Sequence, residues 1–192
     1  MIVKALAALS LALVPVSAFA AANETNILPW QHPEVVRVDC LFGRGSAFYV
    51  GPTTLLSVAH VTTMLGCAIN GKPFTVLRSK GDFSIISVAT PSTNWLRIDC
   101  GGFVAGKLYE AIGYARGLDT QTTVELEATG KIDGQLSRLG GVFTVIPGQS
   151  GGPIRDELTG RVTGTVNTYD AEDGLSGSVA LKDTPVCDGV VV

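Results

Sequence analysis

Residues 148–153 read Gly148-Gln149-Ser150-Gly151-Gly152-Pro153. Glycines on both sides of a serine let the backbone turn tightly and approach a ligand closely. They also leave peptide N–H groups free to point into a site. Upstream, Leu55-Leu56-Ser57-Val58-Ala59-His60 reads as a strand that delivers an imidazole at its end. Only one other histidine exists, His32, which sits beside Pro33 and reads as a surface residue. Between the two segments, Gly81-Asp82-Phe83-Ser84-Ile85-Ile86 sets an acid at the head of an alternating strand.

A hydroxyl is a weak nucleophile until a base removes its proton. Neutral imidazole does this near pH 7, and a carboxylate on its other nitrogen fixes the tautomer. His60, Asp82 and Ser150 are therefore the residue types that a catalytic triad needs. The N–H groups of Gly148 and Ser150 are candidates for holding a developing oxyanion. Each residue alone has an ordinary reading: a buried histidine, a turn aspartate, a turn serine. Asp39 and Asp99 are rival acids. The Gly-x-Ser-x-Gly spacing also fits the nucleophile elbow of α/β-hydrolases, but there the histidine follows the serine. Here both histidines precede Ser150.

The rest of the chain reads as β structure. Short β-branched or apolar runs occur at 35–41, 46–50, 54–59, 74–77, 83–88, 107–112, 122–128, 142–146, 161–167 and 176–181. Glycine and proline punctuate them, and the 23 glycines favour turns over helical bundles. One short helical turn fits within 61–67. Asp99-Cys100-Gly101-Gly102 interrupts the strands and divides the chain into segments 23–100 and 101–192. With 46% apolar and 16% charged residues the composition is globular. A net charge of −3 excludes a broadly basic nucleic-acid binder.

Three blocks in the order His, Asp, Ser resemble the chymotrypsin-like (trypsin-like) serine endopeptidases. Gly45 to Val50 with Leu55 to His60 resembles the histidine block. Asp82 to Ile86 resembles the acid block, and Gly148 to Pro153 the nucleophile block. Weaker similarity runs through Gly106 to Tyr114 and Gly160 to Thr168. The likeness covers about residues 34–182, with the flavour of short bacterial and viral members and of Deg-type protease domains. It implies an all-β fold of two perpendicular six-stranded β-barrels, with the site in the cleft between them. It further implies an endopeptidase in which Ser150 attacks, His60 shuttles the proton and Asp82 orients His60, with no cofactor or metal. The expected partner is a protein or peptide substrate; the oligomeric state stays open. A catalytically inactive or regulatory binding module on the same fold is the alternative.

The resemblance also sketches a specificity pocket. Its base falls at Thr144, whose lack of charge argues against selection for Lys or Arg. Thr165-Val166-Asn167-Thr168 should form one wall, and Gly177 and Ser178 the other. Such a pocket suits a small, medium or acidic side chain. Two departures stand out. Eukaryotic relatives carry an acid before the serine, which pairs with a newly cut amino terminus. Gln149 holds that place here and cannot form the ion pair, so the loop is expected to form without it. His60 is followed by Val61 rather than by the usual cysteine.

The amino terminus reads as an export signal. Lys4 supplies the positive region, 5–16 the apolar run, and Ala18-Phe19-Ala20 a small-x-small cleavage pattern after residue 20 or 22. The run is too short to span a bilayer. The expected destination is secreted or periplasmic, with no membrane attachment once the signal is removed. Four cysteines agree with export and suggest two disulfides in one of three pairings. Cys40–Cys67 is the first choice, because it would brace the segment holding His60. Cys100–Cys187 would then tie the middle of the chain to its tail.

Overall fold

In Leu55 and Leu56 two successive apolar residues are both fully buried, although successive side chains of a strand point to opposite faces. A strand can do this only when both faces of its sheet are covered. The computed structural model, which describes residues 31–115, 118–141, 144–169 and 174–189, shows how. The first sheet comprises β1 (Val35–Cys40), β2 (Gly43–Tyr49), β3 (Thr54–Ser57), β4 (Thr75–Lys80) and β5 (Phe83–Ser87), in the order β1-β2-β3-β5-β4. Leu55 joins Val36, Val38, Ala47, Tyr49 and Ile86 in one core cluster. Leu56 faces the other way, where Val35, Phe48 and Phe83 pack with Ile112, Val162 and Leu181 of the following half. The second cluster is thus the seam between the halves.

That following half is a closed antiparallel barrel. It comprises β6 (Leu108–Tyr114), β7 (Gln121–Asp133), β8 (Leu136–Gly140), β9 (Pro153–Asp156), β10 (Val162–Tyr169) and β11 (Ser176–Ala180). The circuit runs β10-β11-β8-β7-β6-β9, with β9 pairing back to β10. A third apolar cluster, including Tyr109, Leu126, Leu139, Ile154 and Val166, packs its strands together. The architecture is the all-β fold anticipated above, with one closed six-stranded barrel and, in place of the other, a five-stranded sheet. The first sheet has five strands, and its outer edge is met by a bridge instead of a sixth strand. Asp39 and Ala68 exchange backbone hydrogen bonds of 2.9 and 2.8 Å, bringing the segment before β4 to the free edge of β1.

The only α-helical turn described is α1 (Ala59–Thr62), which follows β3 at once and carries His60. It begins two residues before the turn expected within 61–67. Disulfides join Cys40 to Cys67 and Cys100 to Cys187. The first pins β1 to the chain leaving α1; the second closes a long loop around the seam. The expected export signal at 1–20 lies outside the described residues, as do Val142 and Phe143 of the run 142–146. Thr144 to Ile146 is not a strand, because side chains take the N–H groups a ladder would use. Ser176 Oγ accepts from Val145 N at 3.4 Å, and Gln149 Oε1 accepts from Ile146 N at 2.9 Å. No helix among the described residues is long and apolar enough to cross a membrane.

One buried acid ties the second barrel together. Asp156, at the end of β9, is 2% exposed. Its Oδ1 accepts from the amides of Leu158 and Thr159 at 2.9 and 2.8 Å, shaping the β9–β10 turn, and its Oδ2 pairs with Lys107 Nζ just before β6. Burial opposes its charge, yet the Lys107 and Thr159 contacts hold its carboxyl below the usual aspartate value. A carboxyl depressed in the folded state contributes stability above its unfolded pKa, and this is lost as pH falls through the folded value. Asp156→Asn should therefore be less stable than wild type at pH 7. Its melting temperature should also fall less than that of wild type between about pH 4 and pH 2, a range set by the ordinary aspartate value. Parallel melting curves across that range check this.

Candidate active site

The β3–β5 register decides where Asp82 lies. Ser57 is paired with Ser84, so the chain continuing past Ser57 meets the residues preceding Ser84. Gly81 and Asp82 form the two-residue loop of the β4–β5 hairpin, between paired Lys80 and Phe83. Gly81 has φ 58°, the sign that a II′ turn requires at its first central position. The Asp82 carbonyl accepts from Ala59 N at 3.2 Å, anchoring the start of α1. Its Oδ1 accepts from His60 N at 2.8 Å, and its Oδ2 lies 2.6 Å from His60 Nδ1. One carboxylate thus fixes both the backbone and the ring of His60. Thr62 Oγ1 braces the same turn by donating to Ser84 Oγ at 2.9 Å. The rival acids are engaged elsewhere. Asp39 pairs with Arg37 and Arg44, while Asp99 accepts from Gly101 N.

The serine sits at the end of a tight turn. Gln149 N donates to Ile146 O at 3.1 Å, closing a four-residue turn around Pro147 and Gly148. Gly148 has φ 100°. A positive φ at the third residue, with proline at the second, is the signature of a type II turn. Among the described residues, no acceptor is found for the amides of Gly148 or Ser150. Ser46 of β2 holds this loop from the opposite barrel. Its Oγ donates to Gly148 O at 2.9 Å and accepts from Tyr114 N at 3.0 Å, while its N donates to Ser150 O at 2.8 Å. Ser57 Oγ in turn donates to Ser46 O at 2.8 Å. Gly151 must be glycine, since it has φ 87° and a Cβ there would lie 2.2 Å from Ser46 O.

His60 and Ser150 line one cavity of about 460 Å³, together with Val145, Ile146, Pro147, Val166, Asn167 and Thr168. The Ser150 hydroxyl donates to Asn167 O at 3.3 Å. Four residues expected to bind substrate, Thr144, Thr165, Gly177 and Ser178, are not among the lining residues. Thr144 is half-buried and lies outside the wall. Thr165 and Ser178 are fully buried, and Ser178 Oγ donates to Thr165 O at 2.9 Å. The alternation of β10 explains this: Val166 and Thr165 point to opposite faces. Asn167 lines the cavity but also reaches behind it, where its Nδ2 donates to Asp82 Oδ2 at 2.5 Å. That contact, the Ser46 strut and the Gln149 side-chain bonds were not foreseen. Serines are too common to single out, and a buried glutamine beside a glycine turn was the one available hint. His32 is half-buried, with the Arg155 guanidinium 3.4–3.5 Å from its ring nitrogens and Glu34 beside it.

Burial works against charge on Asp82, but the His60 ring and amide, and then Asn167, outweigh it and hold its carboxyl below the usual aspartate value. The carboxylate thus persists to lower pH than an ordinary aspartate, and is protonated only as pH falls through that lowered value. Removing the ring should expose the burial penalty. In His60→Ala the Asp82 pKa should rise above its wild-type value; in Asn167→Ala it should rise by less. Carboxyl ¹³C NMR titration measures both, and an unmoved Asp82 in His60→Ala would contradict the assignment.

No protein-family model matches the sequence, and no curated protein sequence matches it. Solved structures do. The active form of the Rv3671c protease from M. tuberculosis superposes with TM-score 0.63 at 22% identity, over 77% of this chain and 75% of that one. A Glu endopeptidase superposes with TM-score 0.62 at 15% identity, over 77% and 84%. The HtrA-type protease AlgW, solved with a tripeptide, gives 0.64 at 19% identity, over 78% of this chain and 57% of AlgW. With its closed barrel, its second sheet and the cleft-lining His60 and Ser150, this chain has the chymotrypsin-like serine protease fold.

Proposed function

We propose that this chain is an exported serine endopeptidase. One observation carries the reading: the cavity that holds Ser150 also holds His60, whose Nδ1 is already engaged by the Asp82 carboxylate. A ring with its Nδ1 proton on a carboxylate keeps Nε2 free to accept a proton. In the reaction, His60 Nε2 takes the Ser150 hydroxyl proton as Oγ attacks the substrate carbonyl carbon. Asp82 stabilises the resulting imidazolium. The tetrahedral oxyanion is received by the Gly148 and Ser150 amides, which have no protein acceptor among the described residues. The proton then passes to the leaving amine, and water releases the acyl-enzyme by the reverse sequence. The binding-module alternative would be favoured by a Gly148 peptide rotated away from the type II turn, and the φ of 100° argues against it.

The substrate class follows from the wall. Val145, Ile146, Pro147 and Val166 give it an apolar lining, and Thr168 adds an uncharged rim. An uncharged side chain of small to medium size fits such a wall best. Two disulfides suit an oxidising compartment, in keeping with a signal at 1–20 and a secreted or periplasmic enzyme. The two barrels would occupy 23–100 and 101–192.

Wild-type protein and Ser150→Ala should be treated with a fluorophosphonate probe and then with a diverse peptide library read by mass spectrometry. Labelling and cleavage should vanish together in the variant, with a kcat loss on the order of 10⁶-fold. Cleavage should favour uncharged residues before the scissile bond. Labelling that survives the substitution would overturn the nucleophile assignment. A folded wild type that never labels would favour the binding-module alternative.

A further inference from the structure

The side chain of Gln149 lies beside the nucleophile, is 0% exposed and takes no part in the chemistry above. Its bonds are specific. Oε1 accepts from Ile146 N at 2.9 Å, while the Gln149 amide donates to Ile146 O at 3.1 Å. Backbone and side chain of one residue therefore clasp Ile146 from both sides, enclosing Pro147 and Gly148. Nε2 donates to Thr122 Oγ1 at 2.9 Å and to Thr122 O at 3.3 Å. Thr122 Oγ1 in turn donates to Gly113 O at 3.1 Å. Gly113 packs directly against this residue, since a Cβ there would lie 3.0 Å from Gln149 Cα. The turn is thus tied through a neutral amide to β6 and β7, the interior of its own barrel.

We propose that Gln149 is a positioning residue that holds the Pro147–Gly148 turn in its type II form without any charge. Given the protease reading above, it thereby keeps the oxyanion amides presented. The physical reason is the cost of alternatives. Opening the turn, so that Ile146 and Gln149 part, would break the clasp and leave a fully buried carboxamide oxygen without its donor. An aspartate in the same place would need a buried cation. Among the described residues, the hydrogen-bond partners of Gln149 are uncharged: the Ile146 amide and carbonyl, Thr122, and the amide of Gly152, which donates to Gln149 O at 2.9 Å.

Two substitutions test this. Gln149→Met keeps the volume and removes all three side-chain bonds. Its crystal structure should show Gly148 displaced from φ near 100°. Its kcat should fall roughly 100- to 1000-fold, the usual cost of an oxyanion donor, with KM changed less than about threefold. Gln149→Glu carries the same bonds only while protonated, its carbonyl accepting from Ile146 N and its O–H donating to Thr122. Burial raises a carboxyl pKa, so the activity of this variant, taken as a ratio to wild type at the same pH, should fall as pH rises through the raised value. A Gln149→Met structure with Gly148 unmoved, or a Gln149→Glu pH profile matching wild type, would overturn the proposal. If Gln149→Met does not fold, the Gln149→Glu structure at low and high pH gives the same reading of Gly148. Wild-type fluorophosphonate labelling separately tests the protease reading, and the Gly148 conformation does not depend on its outcome.

Discussion

Ser46 donates its amide proton to the Ser150 carbonyl and its hydroxyl proton to the Gly148 carbonyl. These two bonds lock the Ser150 loop of the closed barrel onto β2 of the first sheet. Much of the site depends on them. His60 and Asp82 belong entirely to the first barrel, positioned by the β3–β5 register. Ser150 and its flanking amides belong to the second. Unless the barrels are held in fixed relation, the serine and the imidazole cannot share a cavity. Apolar packing supplies cohesion across the seam, through Phe48, Leu56 and Phe83 against Ile112, Val162 and Leu181. Apolar contact is not directional. The Ser46 hydrogen bonds to Gly148, Ser150 and Tyr114 are directional.

Each barrel also contributes one residue that stiffens its half of the site from behind. In the first, Asp82 fixes His60 by two bonds and is itself held by Asn167 reaching across from β10. In the second, Gln149 clasps its own turn. Asn167 is the more economical device, since its carbonyl accepts from Ser150 while its side chain donates to Asp82. One strand residue thus touches both the acid and the serine. Its exposed neighbour Thr168 belongs to the cavity, whereas Thr165 is turned into the protein.

His60, Asp82 and Ser150 were legible because their chemistry is rare in this chain. There are two histidines, one glycine-flanked serine before Gly151-Gly152, and an acid at a strand head between them. The β-rich class was legible from alternation and turn residues. β8 and β9 were not. Leu136–Gly140 carries a polar Ser137 and Arg138 between its leucines, and Pro153–Asp156 starts with a residue that lacks a ladder donor. Ile154 and Leu139 are fully buried all the same. Val145 and Ile146 read as part of a strand because pocket walls are as apolar as strand interiors. Only the three-dimensional destination of the Val145 and Ile146 amides tells the two apart. Ser46 could not be distinguished from any other serine without knowing that Ser150 would lie against it.

In the proposed protease, the turn from Ile146 to Ser150 stands ready to hold an oxyanion before any substrate arrives. The most direct measurement is a pair of crystal structures, one of the free protein and one after reaction with a fluorophosphonate. A ready turn gives a phosphonyl group on Ser150 Oγ with one oxygen within hydrogen-bond distance of the Gly148 and Ser150 amides. It also gives the same positive Gly148 φ in both structures. A Pro147–Gly148 peptide that rotates only on labelling, or an adduct whose oxygen meets neither amide, would contradict it.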